Sequence, residues 1–313
     1  MNKQRIIFMG TPDFAVPSLK ALHNTGYEVV LVVTQPDRPK GRGRKLVFTP
    51  VKETALELGY SIAQPLSIKT SEFSDMISSL CPDLFVVIAF GHILPKNILD
   101  ISKKGAINLH ASLLPKYRGP APIQWAVINR EKKTGITAML MDEGLDTGDI
   151  LLSTEVIISS KDTSSSLHDR MAIVASDLLI KTLSGIKANT INPVPQDHSL
   201  ATYAPLLKKI DGRINWSKTA KEIEAFIRGI NPWPGAFTMH GDKRLKIFDA
   251  DVIPGSVKQV PGTIVGETRD HLFVATGDGI LSIKDIQEES GKRQDIKNYL
   301  CGCNNITQGT VLV

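Results

Sequence analysis

Asn108 and His110 are the residues of this sequence best placed to do chemistry. They stand two apart in Ala106–Ala111, which reads as a strand emptying into a Pro-punctuated turn. Side chains alternate across a strand, so the amide and the imidazole share one face. His is the side chain most readily poised near neutral pH. In an open α/β sheet, ligands bind at the carboxyl ends of the strands. Ser112-Leu113-Leu114-Pro115 follows at once, then Lys116-Tyr117-Arg118-Gly119. A second stretch, Met141–Asp149, is acidic and Gly-rich, follows a strand and contains Asp142 and Asp146. An amide donor, an imidazole and a carboxylate together could stabilise an oxyanion and move protons.

The elements that must position these residues alternate between strand and helix. Ile6–Gly10 is a continuous apolar run, as a buried parallel strand requires. The turn after it, Gly10-Thr11-Pro12-Asp13-Phe14-Ala15, lacks the second and third glycines of G-x-G-x-x-G, which excludes a dinucleotide site. Strands are expected at Glu28–Gln35, Ser61–Gln64, Leu84–Phe90, Gly135–Met141 and Leu151–Ile158. Helices are expected at Thr11–Asn24, from Pro50 behind a Thr49 cap, and at Ser71–Leu80, Ala121–Arg130 and after Thr163. This alternation predicts an α/β domain with a mainly parallel sheet over residues 1–191. His92 follows the most apolar strand and reads as a loop histidine, since no acid or nucleophile accompanies it at a recognisable spacing.

Asn192-Pro193-Val194-Pro195 breaks the pattern, so residues 192–209 are expected to form a linker. Thr219-Ala220-Lys221-Glu222 is a capping box that starts a helix. About five short strands then follow between Ala236 and Gln287, with Gly-Asp turns between them. They predict a small, OB-like β-barrel over residues 210–313. Trp216 and Trp233 read as core residues of that domain.

Composition sets outer bounds. The chain has 313 residues, 42% hydrophobic and 22% charged, as a soluble two-domain protein would. No apolar run approaches the ~18–20 residues that span a bilayer, and the start is too short for a signal peptide. Cys81, Cys301 and Cys303 make no even framework and no metal-ligand pair, so free thiols, a reducing cytoplasmic setting and no metal are expected. The net charge is +5, and much of it sits between Pro36 and Thr49. Arg38, Lys40, Arg42, Arg44 and Lys45 stand there against a single acid, Asp37. With Gly41 and Gly43 between the charges and no apolar periodicity, this reads as an exposed, mobile loop that orders on a polyanion.

The run Gly105–Gly119, with the Asp146 turn, resembles the active-site segments of the 10-formyltetrahydrofolate-dependent formyltransferases. The similarity extends along nearly the whole chain. It is closest to members whose acceptor is methionyl initiator tRNA. The resemblance implies a Rossmann-like formyltransferase domain, with Asn108, His110 and Asp146 catalytic. It implies a folate site from Ser112, Leu113, Leu114, Pro115 and Asp142, with Phe90, Gly91, Ile93 and Leu94 as an apolar wall for the pterin. It also implies that a monomeric enzyme meets tRNA through Arg38, Lys40, Arg42, Arg44 and Lys45, with Arg42 reaching the stem end, and through Lys208 and Lys209. Formyl transfer needs donors aimed at a tetrahedral oxyanion, which Asn108 and protonated His110 can supply, and a proton exchange between two nitrogens. It needs no covalent enzyme intermediate. Two other readings use the same residues: transfer to a sugar-nucleotide amine, or a catalytically silent RNA-binding protein. The basic segment favours tRNA over the sugar nucleotide, and the complete Asn–His–Asp set disfavours the silent protein.

Overall fold

The first apolar run becomes β1 (Arg5–Gly10), in which Ile6, Ile7, Phe8 and Met9 are fully buried. The computed structural model describes residues 4–40, 45–255, 258–267, 270–302 and 306–313. A 3₁₀ turn at Asp13–Ala15 precedes α1 (Val16–Asn24), so the helix begins later than the sequence suggests. Then come β2 (Glu28–Val33), β3 (Arg38–Lys40), β4 (Lys45–Val47), α2 (Pro50–Glu57), β5 (Ile62–Ala63) and α3 (Ser71–Ser79). The Thr49 hydroxyl caps α2 by accepting from Lys52 N at 3.1 Å, with Pro50 at the first helical position. The wholly buried strand β6 (Leu84–Ile88) leads to α4 (Lys96–Leu99) and β7 (Ala106–His110). After α5 (Pro122–Ile128) the chain forms β8 (Lys133–Leu140), β9 (Ile150–Ile157) and the long helix α6 (Ser164–Ala188).

Seven of these strands make one sheet in the order β5-β2-β1-β6-β7-β8-β9. It is parallel from β5 to β7, and β8 and β9 complete it antiparallel. The carboxyl ends of β1, β2, β6 and β7 therefore open on one edge. Pairing of Gly10 with Ile88 and of Val87 with Asn108 brings the turn after β1 and the turn after β6 beside the Asn108 strand. Apolar side chains from β1, β2, β6 and α3, including Ile7, Val33, Phe85 and Ile77, build a core under this sheet.

The basic segment departs from the loop expected of it. β3 and β4 pair antiparallel, Arg38 with Val47 and Lys40 with Lys45. A two-stranded ribbon is held by backbone ladders, so it needs no apolar alternation; Leu46 and Val47 are in fact exposed. Residues 41–44, and with them Arg42 and Arg44, lie outside the described residues, as does Cys303.

Contacts divide the chain into two units. The first comprises Met1–Pro122, Lys133–Ile157 and His168–Ala204; the second comprises Ile123–Lys132, Ile158–Leu167 and Pro205–Val313. Residues 192–204, which read as linker, thus pack with the first unit. The second unit holds α7 (Ala220–Gly229), β10 (Ala236–His240), β11 (Lys243–Ile253), β12 (Ile264–Glu267), β13 (Leu272–Ala275), β14 (Ile280–Glu288), β15 (Gln294–Asp295) and α8 (Ile296–Gly302). The capping box forms as written in the sequence: Thr219 Oγ1 accepts from Glu222 N and Glu222 Oε2 accepts from Thr219 N. The strands pair antiparallel in the order β10-β11-β14-β13-β12, with β15 on β14. Bulges in β11 between Ile247 and Ala250 let the sheet curl toward a barrel around Ile223, Ile227, Leu245, Ile247 and Ile283. Trp216 is in this core, its ring N–H donating to Thr238 at 3.0 Å. Trp233, expected inside, is half exposed because it sits in the turn between α7 and β10. No helix among the described residues is long and apolar enough to cross a membrane.

Candidate active site

On β7 the alternation works as the sequence requires. Ile107 and Leu109 are buried on one face, and Asn108 and His110 share the other. Asp146 joins them: its Oδ1 lies 3.4 Å from Asn108 Nδ2 and 3.5 Å from His110 Nδ1. Its approach was not evident from the sequence. β8 runs antiparallel to β7, so Leu140 pairs with Ile107 and the Asp146 loop leaves from the amino end of β7. The loop must turn back across the sheet face to bring its carboxylate to His110. Several bonds hold that return. Asp142 Oδ1 accepts from Gly144 N at 3.0 Å and from Thr147 Oγ1 at 2.6 Å, stapling the turn from within. Gly119 N donates to Asp146 Oδ2 at 2.8 Å. Asp146 has φ of +55°, a left-handed backbone that Asp tolerates better than most residues.

The tautomer of His110 follows from its partners. Its Nε2 lies 2.8 Å from the Tyr117 carbonyl oxygen. A carbonyl only accepts, so Nε2 carries a proton, and Nδ1 is the ring atom that faces Asp146. Tyr117 also has a left-handed backbone, φ +60°, as does Ala89 at the end of β6, φ +48°. Such conformations cost of order 1–3 kcal/mol each and gather at functional sites.

The Ser112–Pro115 turn is tightly built. Ser112 is fully buried, and its hydroxyl donates to the Lys116 carbonyl at 2.6 Å. The Thr137 hydroxyl accepts from Leu114 N and donates to the Ser112 carbonyl. Lys116 N is bonded to the Leu113 carbonyl. Much of the polar backbone of this turn is thus engaged inside the protein. Leu114 is buried, which leaves Leu113 and Pro115, both half-buried, with surface to offer. In the segment after β6, where the pterin is expected, Phe90 and Leu94 are buried in the core, Gly91 is exposed at φ +86°, and Ile93 is exposed.

A cleft of about 530 Å³ opens past the carboxyl ends of β1, β2 and β6. Thr11, Pro12, Gln35, Arg38, Phe48, Phe90, Gly91 and His92 are among its walls, so the turns after β1 and β6 and the β3–β4 hairpin share one surface. Asn108, His110 and Asp146 are not among the residues that line it. The hairpin is anchored at its base by Asp37, which accepts from Lys52 at 2.5 Å and from Gln64 at 2.8 Å. The hydrogen bond from Lys52, with that from Gln64, holds the Asp37 carboxyl below its ordinary value. A depressed folded-state pKa means that this anchor contributes fully above the unfolded value, near 3.9, and is lost as pH falls through the lower folded value. An NMR titration of the Asp37 carboxyl should therefore show a midpoint below that of an unfolded Asp, and Lys52→Met should move it up. A midpoint unchanged by Lys52→Met would remove Lys52 from the anchor. Lys208 and Lys209 are exposed in the second unit, where Lys208 N donates to Asp211 at 2.6 Å.

Two partners of the site were not picked out from the sequence. Gln196 is buried and reaches the Asp146 loop, and Arg118 reaches Gln196. Gln196 stands in the stretch that reads as linker, and no periodicity or short motif connects it to Asp146.

The formyl transferase family model matches residues 4–183, and the model of its C-terminal domain matches residues 206–304. The chain belongs to this family, on the branch of the methionyl-tRNA formyltransferases. It is 49% identical over 308 residues to the methionyl-tRNA formyltransferase of Alkaliphilus oremlandii, covering 98% of this chain and 99% of the relative. It is 50% identical to that of Desulfotalea psychrophila, covering 95% and 92%. Among solved structures it is similar in fold to an N-formyltransferase from Helicobacter canadensis in complex with folinic acid and dTDP-3-aminofucose. The TM-score is 0.68 at 20% identity, covering 94% of this chain and all of that one.

Proposed function

We propose that the protein is a cytoplasmic, monomeric enzyme that transfers the formyl group of 10-formyltetrahydrofolate to the amino group of methionyl initiator tRNA. The observation that carries this reading is the meeting of Asn108, His110 and Asp146 on one face of β7. The acceptor amine, once neutral, attacks the formyl carbon and the carbonyl oxygen takes up negative charge. Asn108 Nδ2 has two N–H groups; with one toward Asp146, the other donates to that oxygen. His110 Nδ1 exchanges the proton lost by the attacking nitrogen and gained by the leaving nitrogen, while the Tyr117 carbonyl keeps the opposite ring N–H fixed. Asp146 holds the imidazole in place and compensates its charge when Nδ1 is protonated. The Ser112 hydroxyl is buried and already donating, which fits direct transfer between nitrogens with no acyl-enzyme. Leu113, Pro115, Gly91 and Ile93 supply the accessible surface for the folate, and Asp142 shapes the loop at its edge.

The acceptor is tested with a panel: methionyl initiator tRNA, methionyl elongator tRNA, free methionine and a sugar-nucleotide amine. Preferred formylation of the initiator species is expected; preferred formylation of the sugar amine would overturn the choice of acceptor.

The β3–β4 hairpin is proposed to hold the RNA backbone. Changing Arg38, Lys40 and Lys45 together to Gln should weaken tRNA binding, leave folate affinity near normal, and flatten the salt dependence by about 0.7–0.9 log units per lost phosphate contact. Binding measured across a salt series checks this. An unchanged affinity and slope would move the RNA contact to the second unit, where Lys208 and Lys209 are exposed.

A further inference from the structure

Gln196 makes more contacts with the Asp146 loop than a linker residue has reason to make. It is 6% exposed. Its Nε2 donates to the Asp146 carbonyl at 2.9 Å and to the Gly148 carbonyl at 2.7 Å. Its Oε1 accepts from Arg118 Nη2 at 2.7 Å and from Nε at 3.2 Å. The stretch around it is itself tied down: Val194 and Ile150 exchange both backbone hydrogen bonds at the start of β9. Arg118 Nη2 also lies 3.0 Å from His198 Nδ1, which must accept there because a guanidinium only donates. Arg118 is followed by Gly119, whose N–H holds Asp146 Oδ2.

We infer that Gln196 is a positioning residue for formyl transfer: it grips the backbone at Asp146 and again two residues beyond it, and so sets where that carboxylate meets His110. This rests on the function proposed above. The chemistry of the grip is specific to an amide. Two carbonyls need two donors on one atom, and the guanidinium needs an acceptor on the other; glutamate offers no donor and methionine offers neither. The loop needs an outside hold because Asp146 keeps a left-handed backbone while its loop returns across the sheet. Releasing Asp146 O and Gly148 O lets the carboxylate drift from His110 Nδ1, and a displacement of about 1 Å in a reacting group costs up to about 100-fold in rate.

The test uses the full chain with Gln196→Glu and Gln196→Met, each also combined with Asp146→Asn. Thermal melts set a temperature at which every variant is folded. Each single variant should lose about 10- to 100-fold in kcat, with KM for both substrates little changed. In the Asp146→Asn background the same Gln196 change should add almost nothing, because the positioned group is already disabled. The NMR signals of the His110 ring, read at one fixed pH without turnover, should move in Gln196→Met. Losses that multiply in the double variants, or unmoved His110 ring signals together with wild-type kcat, would overturn the inference. If the wild-type chain does not formylate methionyl-tRNA, the function reading fails instead, and the His110 ring signals still decide whether Gln196 positions the pair.

Discussion

Asn108→Ala and His110→Ala should each lower formyl transfer on the order of 100-fold or more, far beyond what their loss of stability explains. Loss of one oxyanion donor has that scale in acyl transfer. Asn108 is half-buried, so its truncation should leave the thermal midpoint close to wild type; His110 is buried and donates to the Tyr117 carbonyl, so His110→Ala should lower the midpoint more while the protein stays folded. Asp146→Asn isolates charge from shape: its side-chain oxygen can still accept from Gly119 N, but it no longer balances a protonated imidazole. The three substitutions should be far from additive, because each disables the same unit. Steady-state rates beside thermal melts check this. Wild-type turnover by folded His110→Ala would remove the imidazole from the mechanism, and full activity of Asp146→Asn would remove the charge.

Gly148→Ala should reduce activity comparably, from a residue that carries no reactive group. A Cβ at Gly148 would lie 1.8 Å from the Leu140 carbonyl oxygen, which belongs to the β8 backbone and not to a flexible side chain. The loop must shift, and with it the Gly148 carbonyl that Gln196 holds and the Asp146 carboxylate two residues earlier. The expected outcome is a kcat loss of about 100-fold, the scale set by a displacement near 1 Å. The fold of the sheet should survive, since the clash falls on Leu140, the last residue of β8, and leaves the pairs Asn108–Met139, Leu109–Ala138 and His110–Thr137 of the β7–β8 ladder in place. Kinetics with a far-ultraviolet spectrum separate the two effects. A Gly148→Ala protein with wild-type kcat would show that the loop position does not limit catalysis.

The features legible in the sequence are those decided by local rules. Alternation alone placed Asn108 and His110 on one face. Apolar runs located β1 and β6, Thr49 and Thr219 announced their helices, and Gly-Asp turns spaced the barrel strands. What the sequence hid depends on pairing over long separations. That Asp146 comes from the amino end of β7 follows from the antiparallel sense of β8, which no residue type encodes. Gln196 is fifty residues from Asp146, in a Pro-rich stretch whose composition reads as linker; its role exists only because Val194 pairs with Ile150. The ribbon at Arg38–Val47 was missed for a third reason. Its strands are exposed, so the hydrophobic alternation that normally reveals a strand is absent.

The account stands most directly on a single-turnover reaction with enzyme in excess over methionyl initiator tRNA and with 10-formyltetrahydrofolate present. The reaction is quenched, the ester is hydrolysed, and the released amino acid is identified by mass. The account predicts N-formylmethionine, formed at the same rate after Cys81 and Cys301 are blocked, and nearly abolished in His110→Ala. Released methionine without the formyl group, from folded protein with both substrates intact, would contradict it.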